Sequence, residues 1–414
     1  MNDRPDDHGE VTRVAVLTAR GRGAIAVVRV WGERAVAIAD SVFRPFRGSR
    51  LSNAPVGRLR LGRIGRGQGD EVLAVVMAGH PQEVEVQCHG GPAAIELVVE
   101  ALVEAGAERS TPDRWVQDRS ETPIRAAALS DLVRAPTFRA ASLLLDQSTG
   151  ALERELGGCL DSIRSGEDRS AAEVLTTLAD RGKVGTRLLE GWKVVLCGRP
   201  NVGKSRLLNA LAGYTRAIVS PSPGTTRDVV SVRTALDGWP VELADTAGLR
   251  QTDDEIENLG IELAGRWIAS ADLVIAVLDR STSLKPSDRA VLELRGRRVL
   301  LVANKSDLPA AWDAAAIPGV GRGAIPISAE RGDGLDRLIE AIVGQLVPSP
   351  PQPGEGVPFR SDQLQVIEQV SEALKAAGGR NRAMELIEQL LARREGSCVG
   401  TSVKNRPGVG RGLP

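Results

Sequence analysis

The eight residues Gly198-Arg199-Pro200-Asn201-Val202-Gly203-Lys204-Ser205 constrain this chain more than any other feature. They fit G-x-x-x-x-G-K-[ST] in the context that pattern needs. The apolar run KVVLC before them reads as a strand, and SRLLNAL after them as a helix. Glycines let a backbone wrap a phosphate chain with its N–H groups, and the helix N-terminus turns its positive dipole end to the same place. Lys204 is expected to reach the β- and γ-phosphates, and Ser205 to ligate Mg2+. Asn201, Val202, Gly203 and Arg206 complete the nucleotide-binding loop.

Three more motifs follow in a fixed order. Asp245-Thr246-Ala247-Gly248 comes after the strand-like VELA; an Asp at a strand end suits an indirect Mg2+ contact, and the Gly248 N–H can bond the γ-phosphate. Asn304-Lys305-Ser306-Asp307 follows RVLLVA, and here the chemistry selects the base. Guanine presents N1–H and N2–H2 donors on one edge, which a carboxylate accepts together. Adenine has no such pair, so Asp307 specifies GTP. Ser328-Ala329, after AIPI, is expected to put a backbone N–H near guanine O6. Between the first two motifs lie Thr225, Thr226, Arg227 and Asp228, with Thr226 the natural Mg2+ ligand on a loop that senses the γ-phosphate. Leu249 stands where Ras-like enzymes carry a water-orienting Gln. That role must pass elsewhere, and Asp253, Asp254, Glu255 and Glu257 lie just downstream. The same acidic run also fits a solvated helix start.

A length of 414 residues suggests about three domains. Residues 11–108 read as a small α/β domain, with VTRVAVLTA, AIAVVRVWG, EVLAVVMAG and EVEVQC as strands and GPAAIELVVEALVEAGA as a helix. Residues 109–190 are helical by pattern after a polar loop, STPDRWVQDRSETPIR. Residues 191–346 alternate strands and helices, the pattern of a parallel sheet covered on both sides. A Pro/Gly linker spans 347–360, a second helical stretch 361–400 and a basic tail 401–414. The expected fold class is multidomain α/β plus α: an N-terminal α/β domain, and a helical domain interrupted by an inserted Ras-like P-loop GTPase domain.

Fifty-three Lys and Arg balance fifty-three Asp and Glu, which excludes a globally basic nucleic-acid coat. Aromatics at 3% exclude a broad base-stacking platform. Cys88, Cys159, Cys197 and Cys398 lie far apart without a C-x-x-C, against a disulfide framework or a Cys-based zinc site. The polar N-terminus and the lack of a long apolar run imply no signal peptide, no membrane span and a cytoplasmic location.

GRPNVGKS, GTTRD, DTAGLRQTDDEIENLGIE and NKSD together resemble the bacterial tRNA-modifying GTPases of the MnmE family, also called TrmE. The similarity continues in VTRVAVLTARGRGAIAVVRVWG, VEVQCHGGPAAIELVVEAL, AAALSDLVRAPTFRAASLLLDQSTGAL and Cys398-Val399-Gly400. The resemblance implies a homodimer whose N-terminal domain binds 5-formyl- or 5,10-methylene-tetrahydrofolate. It implies partnership with the FAD protein MnmG in a heterotetramer, and C5 (carboxymethyl)aminomethyl modification of the tRNA wobble uridine U34. GTP hydrolysis is then Mg2+-dependent and switched on by K+. Carried over residue by residue, Asn201 ligates K+ with Ser220, Ser222 and Thr225, and Ser205 and Thr226 hold Mg2+. Glu257 orients the attacking water, Lys204 and Cys398 act in catalysis, and Arg29 and Glu85 bind folate.

The chain departs from the family outside the G domain. Gly79-His80-Pro81-Gln82-Glu83 replaces a Y-T-G-E-D segment; Ser110–Arg125 lacks a folate-contacting lysine; Thr401 stands for a terminal lysine. Two rivals stay open: a ribosome-assembly GTPase of the Era or Der type, and a diverged MnmE paralogue that keeps only the GTP switch. For tRNA docking, Arg380, Arg382, Arg393, Arg394 and Lys404 are candidates, against a plain solvated helix face.

Overall fold

The computed structural model describes residues 11–19, 21, 23–214, 231–245, 267–286, 288, 298–313 and 323–392. The chain divides into two compact units, one reaching Ala126 and the other running from Ala127 to Leu391.

The first unit is built on a seven-stranded sheet: β1 (Arg13–Val16), β2 (Ile25–Trp31), β3 (Arg44–Pro45), β4 (Arg60–Ile64), β5 (Asp70–Met77), β6 (Glu83–His89) and β7 (Glu108–Arg109). Their order is β3-β4-β5-β6-β2-β1-β7, antiparallel except for the β1–β7 pair. Side chains alternate across a strand, so each strand sorts its residues between two faces. Val28 and Val30 of β2 and Val84, Val86 and Cys88 of β6 go into a core shared with α1 (Ala35–Val42) and α2 (Pro92–Glu104). Burying each such valine contributes about 1.5–3 kcal/mol. Arg29, Glu83, Glu85 and Gln87 fall on the opposite face, where the register sets Arg29 beside Glu85.

That face receives a helix that the sequence pattern did not suggest. STPDRWVQDRSETPIR, expected to be a polar loop, forms α3 (Pro112–Arg119) and the start of α4 (Pro123–Leu132). Both prolines occupy the first helical turn, where a missing N–H costs nothing. The Thr111 side chain accepts from the Arg114 N–H at 3.2 Å, and Thr122 from Arg125 at 3.3 Å, so each Thr-Pro pair starts a helix. α1 and β4 were likewise not anticipated as elements.

The second unit contains helices α5 (Phe138–Ser148), α6 (Ala151–Ser165) and α7 (Asp168–Gly185), followed by a second sheet. Its strands are β8 (Trp192–Cys197), β9 (Ser231–Leu236), β10 (Trp239–Asp245), β11 (Leu273–Asp279), β12 (Val299–Asn304) and β13 (Ile325–Pro326), in the order β13-β12-β11-β8-β10-β9. All pairs are parallel except β9–β10. β11 is buried at every position, as its unbroken apolar run LVIAVL requires of a central parallel strand. Helices α8 (Lys204–Tyr214) and α9 (Leu335–Leu346) belong to this layer. Helices α10 (Ser361–Lys375) and α11 (Arg380–Leu391) return to the first helical group, α10 against α7 and α11 against α6.

The Pro/Gly stretch 347–360, expected to be a linker, is pinned down. Gln147 is fully buried and grips it twice: its Nε2 donates to the Glu355 carbonyl at 3.1 Å, and its Oε1 accepts from the Val357 N–H at 3.1 Å. Glu155 accepts from the Gly356 N–H at 2.6 Å and pairs with Arg181. Arg360 reaches both oxygens of Asp131 at 2.8 and 3.0 Å. Val357 and Phe359 are buried, so side-chain anchoring overrides the breaker composition.

Candidate functional site

The C-terminal ends of β8, β10, β11 and β12 bring the sequence motifs to one rim of the second sheet, where open parallel sheets bind ligands. The phosphate loop follows β8. Gly203 has a φ of +95°, and a Cβ there would lie 2.3 Å from the Asn304 amide nitrogen, so only glycine fits. Asn201 also lies in the left-handed region, at φ 63°, with its side chain exposed. Val202 is fully buried and anchors the loop.

Lys204 is 4% exposed, and its ammonium donates to the Arg199 carbonyl at 3.0 Å, within the loop itself. The Ser205 hydroxyl donates to Asp245 Oδ2 at 2.6 Å, joining the first and second motifs. The Arg206 side chain turns outward and pairs with Glu330.

Asn304 joins the base-reading motif to the others. Its Nδ2 donates to the Val202 carbonyl at 2.8 Å, and its Oδ1 accepts from the Ala329 N–H at 3.0 Å. One buried amide thus ties the phosphate loop to the Ser328-Ala329 loop. The Ala329 N–H, expected near guanine O6, is bonded to Asn304 in this structure, and the Ser328 N–H to the Asp333 carbonyl. The Ser328 hydroxyl beside Asp307 holds its carboxyl below the usual carboxylate range, so it stays ionised as guanine recognition needs.

Asp279 was not among the residues expected from the sequence. It ends β11 as Asp245 ends β10, and an acid closing an apolar strand at this rim was the available signal. Its Oδ2 accepts from Lys305 at 2.7 Å, and its Oδ1 from the Ser281 N–H and hydroxyl at 2.9 and 2.6 Å. Burial opposes its charge, but these hydrogen bonds outweigh burial and hold the carboxyl below its ordinary value. Arg199 packs beside it, 3.8 Å from Oδ2, and bonds Thr282. Lys305, at φ 65°, is thereby fixed next to the phosphate loop.

In the first unit, Arg29 and Glu85 meet at 2.6 Å. Arg29 also bonds Glu83 at 3.1 Å, and the Trp115 ring covers its guanidinium at 5.2 Å. Glu83 is 3% exposed; its other oxygen takes Arg119 and the Trp115 Nε1–H at 3.3 Å. Gln87 donates to the second oxygen of Glu85 at 2.8 Å. Glu83, Trp115 and Arg119 were not foreseen, although the alternation in EVEVQC already sets Glu83 and Glu85 on one face.

Burial pushes the Cys88 and Cys159 thiols up to about 11; the Cys197 thiol goes up to about 12, with Lys204 opposing slightly. These are inert packing groups. Ser220, Ser222, Thr225, Thr226, Thr246, Ala247, Gly248, Glu257, Arg393, Arg394, Cys398 and Lys404 lie outside the described residues. No helix among the described residues is long and apolar enough to cross a membrane.

A glycine-wrapped Lys-Ser loop, an acid at the end of the neighbouring strand, and an Asn-Lys-x-Asp loop tied back to the first define a P-loop GTPase. The chain is 34% identical to the tRNA modification GTPase MnmE of Symbiobacterium thermophilum over 89% of its own length and 88% of that protein. It therefore belongs to the MnmE family. The namesake proteins of Moorella thermoacetica and Geobacter sulfurreducens are 34% and 36% identical, each over 80% of this chain and 81% of the relative. The family described as "GTP-binding protein TrmE N-terminus" matches residues 12–114, and "50S ribosome-binding GTPase" matches 193–305. Among solved structures, the G domain of the T. maritima FeoB iron transporter shares 30% identity, covering 37% of this chain and 98% of its own at a TM-score of 0.29.

Proposed function

We propose that this chain is a Mg2+-dependent, K+-activated GTP hydrolase that works with MnmG, in the cytoplasm and as a homodimer, to modify C5 of the tRNA wobble uridine. The observation that supports it most is the Asn304 tie between phosphate loop and base loop, in a chain spanning most of the length of its MnmE relatives.

Each described residue has a role in that reading. Asp307, ionised, accepts from guanine N1–H and N2–H2. Lys204 exchanges the Arg199 carbonyl for phosphate oxygens. Ser205 and Asp245 already form an oxygen pair that suits a hard cation, with Thr226 as a further ligand. Mg2+ bound there neutralises charge on the phosphate oxygens. The exposed Asn201 side chain, with Ser220, Ser222 and Thr225, is assigned to K+, which stands where an arginine finger supplies positive charge. Glu257 orients the attacking water.

Folate is assigned by resemblance to Arg29 and Glu85, and the buried Arg29 Nε is without a hydrogen-bond partner among the described residues. Both terminal nitrogens of Arg29 and both oxygens of Glu85 are engaged within the chain, and Trp115 covers the guanidinium. No step is routed through folate. The altered segments Gly79–Glu83 and Ser110–Arg125 favour a second reading, a GTP switch that no longer takes part in modification.

Turnover is expected to be faster in KCl than in NaCl at equal ionic strength; equal rates remove the K+ assignment. Mass spectrometry of tRNA nucleosides decides between the two readings. Loss of the C5-modified uridine on deletion, restored by the intact gene but not by Glu257→Ala, supports modification. An unchanged profile in a cell without a second family member selects the switch.

A further inference from the structure

The chain is electrically neutral as a whole, yet Ser41 to Gly69 contains seven arginines and no acidic residue. The seven are Arg44, Arg47, Arg50, Arg58, Arg60, Arg63 and Arg66, all of them on β3, β4 and the segments next to them. β3 is the outer strand of the first sheet, so these cations gather at one sheet edge. Arg63 and Arg66 pair with Glu71 and Glu104 from outside the segment. The other five have no acidic partner among the described residues. Arg44 donates to the Gly65 and Gly67 carbonyls at 2.7 and 3.2 Å, and Arg60 to the Ser49 hydroxyl at 3.1 Å. Arg47, Arg50 and Arg58 are exposed.

This arrangement works against the fold. The register sets Arg44 directly opposite Arg63, and like charges in facing positions destabilise a strand pair. Guarding a sheet edge against aggregation needs a charge or two of either sign. Five cations without an acidic partner among the described residues are more than that needs, and they match a surface that meets phosphates, whose oxygens a guanidinium fork bonds two at a time. Phe46, 47% exposed with Arg63 over its ring at 5.3 Å, adds a stacking face beside them.

We propose that the β3–β4 edge of the first unit is the surface on which this protein holds the phosphate backbone of its RNA. The inference rests on the tRNA reading above and adds a location to it. Neutralising phosphates releases counterions, so each phosphate left without its arginine lowers the steepness of the salt dependence by about 0.7–0.9 on a log–log plot.

The test is fluorescence anisotropy of the full chain with an unmodified tRNA transcript across a KCl series. Three proteins are compared: wild type, Arg47→Ser/Arg50→Ser/Arg58→Ser, and the same positions changed to Lys. The serine variant is expected to bind at least about 10-fold more weakly, with the salt slope reduced by about two to three. The lysine variant should keep most of the slope, and GTP turnover should be unchanged in both. A serine variant with wild-type affinity and slope overturns the location and leaves the tRNA reading standing. A wild-type chain that turns over GTP but binds no tRNA overturns both. Pelleting of wild type with phosphatidylserine vesicles that tRNA does not compete away overturns the RNA assignment in favour of a lipid surface.

Discussion

Two buried polar clusters, one around Asn304 and one around Arg29, are built from similar parts and end in different conditions. Around Asn304, most bonds join a side chain to backbone or to a neutral group, with the Lys305–Asp279 pair the charged exception: amide to carbonyl, hydroxyl to carboxylate, ammonium to backbone. The Lys204 ammonium donates to a backbone carbonyl and the Ser205 hydroxyl to Asp245, bonds that phosphate oxygens or a cation can take over. Around Arg29, charge meets charge, and Glu83 and Glu85 use both oxygens within the chain. The first cluster orders loops and keeps its charges exchangeable. The second uses its charges to close a sheet face under α3.

Asn304→Ala gives the largest expected effect. It removes both ties between the loops and strands two buried groups at about 1–3 kcal/mol each, so GTP affinity should fall about 100-fold or more by titration with a fluorescent nucleotide. If the variant loses only melting temperature and keeps its affinity, the contrast between the clusters collapses.

Arg29→Ala should do the converse. Leaving Glu83 buried with one partner fewer is expected to cost about 3 kcal/mol in denaturant unfolding, with GTP turnover per folded molecule unchanged. The triple change Arg29→Met/Glu83→Leu/Glu85→Leu should recover most of that loss, because an apolar replacement of a buried ion pair is often neutral. Calorimetry with 5-formyltetrahydrofolate should show no binding to the wild-type chain; a saturable heat would mean that α3 opens and that the cluster is a site.

Asp279 sharpens the comparison through pH. Its folded carboxyl lies below its ordinary value, so its contribution is complete above the unfolded value near 4 and is lost as pH falls through the lower folded value. Asp279→Asn should flatten the acid limb of the melting curve below about pH 4. The smallest effect concerns thiols. Cys88, Cys159 and Cys197 should resist alkylation in the native protein at mildly basic pH, since even Cys88 and Cys159 sit at about 11; peptide mapping checks this.

What was legible in the residues follows the same division. The nucleotide loops were readable because phosphate wrapping and guanine recognition each demand particular residue types at short spacings, and Gly203, Ser205, Asp245 and Asn304 all fall on the expected rim. Asp279 escaped because a single acid at a strand end carries no spacing pattern. α3 and the start of α4 escaped because their prolines read as breakers until the threonines before them are seen to cap. Gln147 and Arg360 could not be found at all from sequence, since their partners lie more than 200 residues away.

The fastening of residues 355–357 to Gln147 and Glu155 has a mechanical consequence. The segment that leaves the nucleotide layer is moored to α5 through Gln147 and to α6 through Glu155. Cutting either tether frees the chain on the exit side of the GTPase layer, so Gln147 and Glu155 act as clasps on a stretch whose prolines and glycines alone would leave it loose.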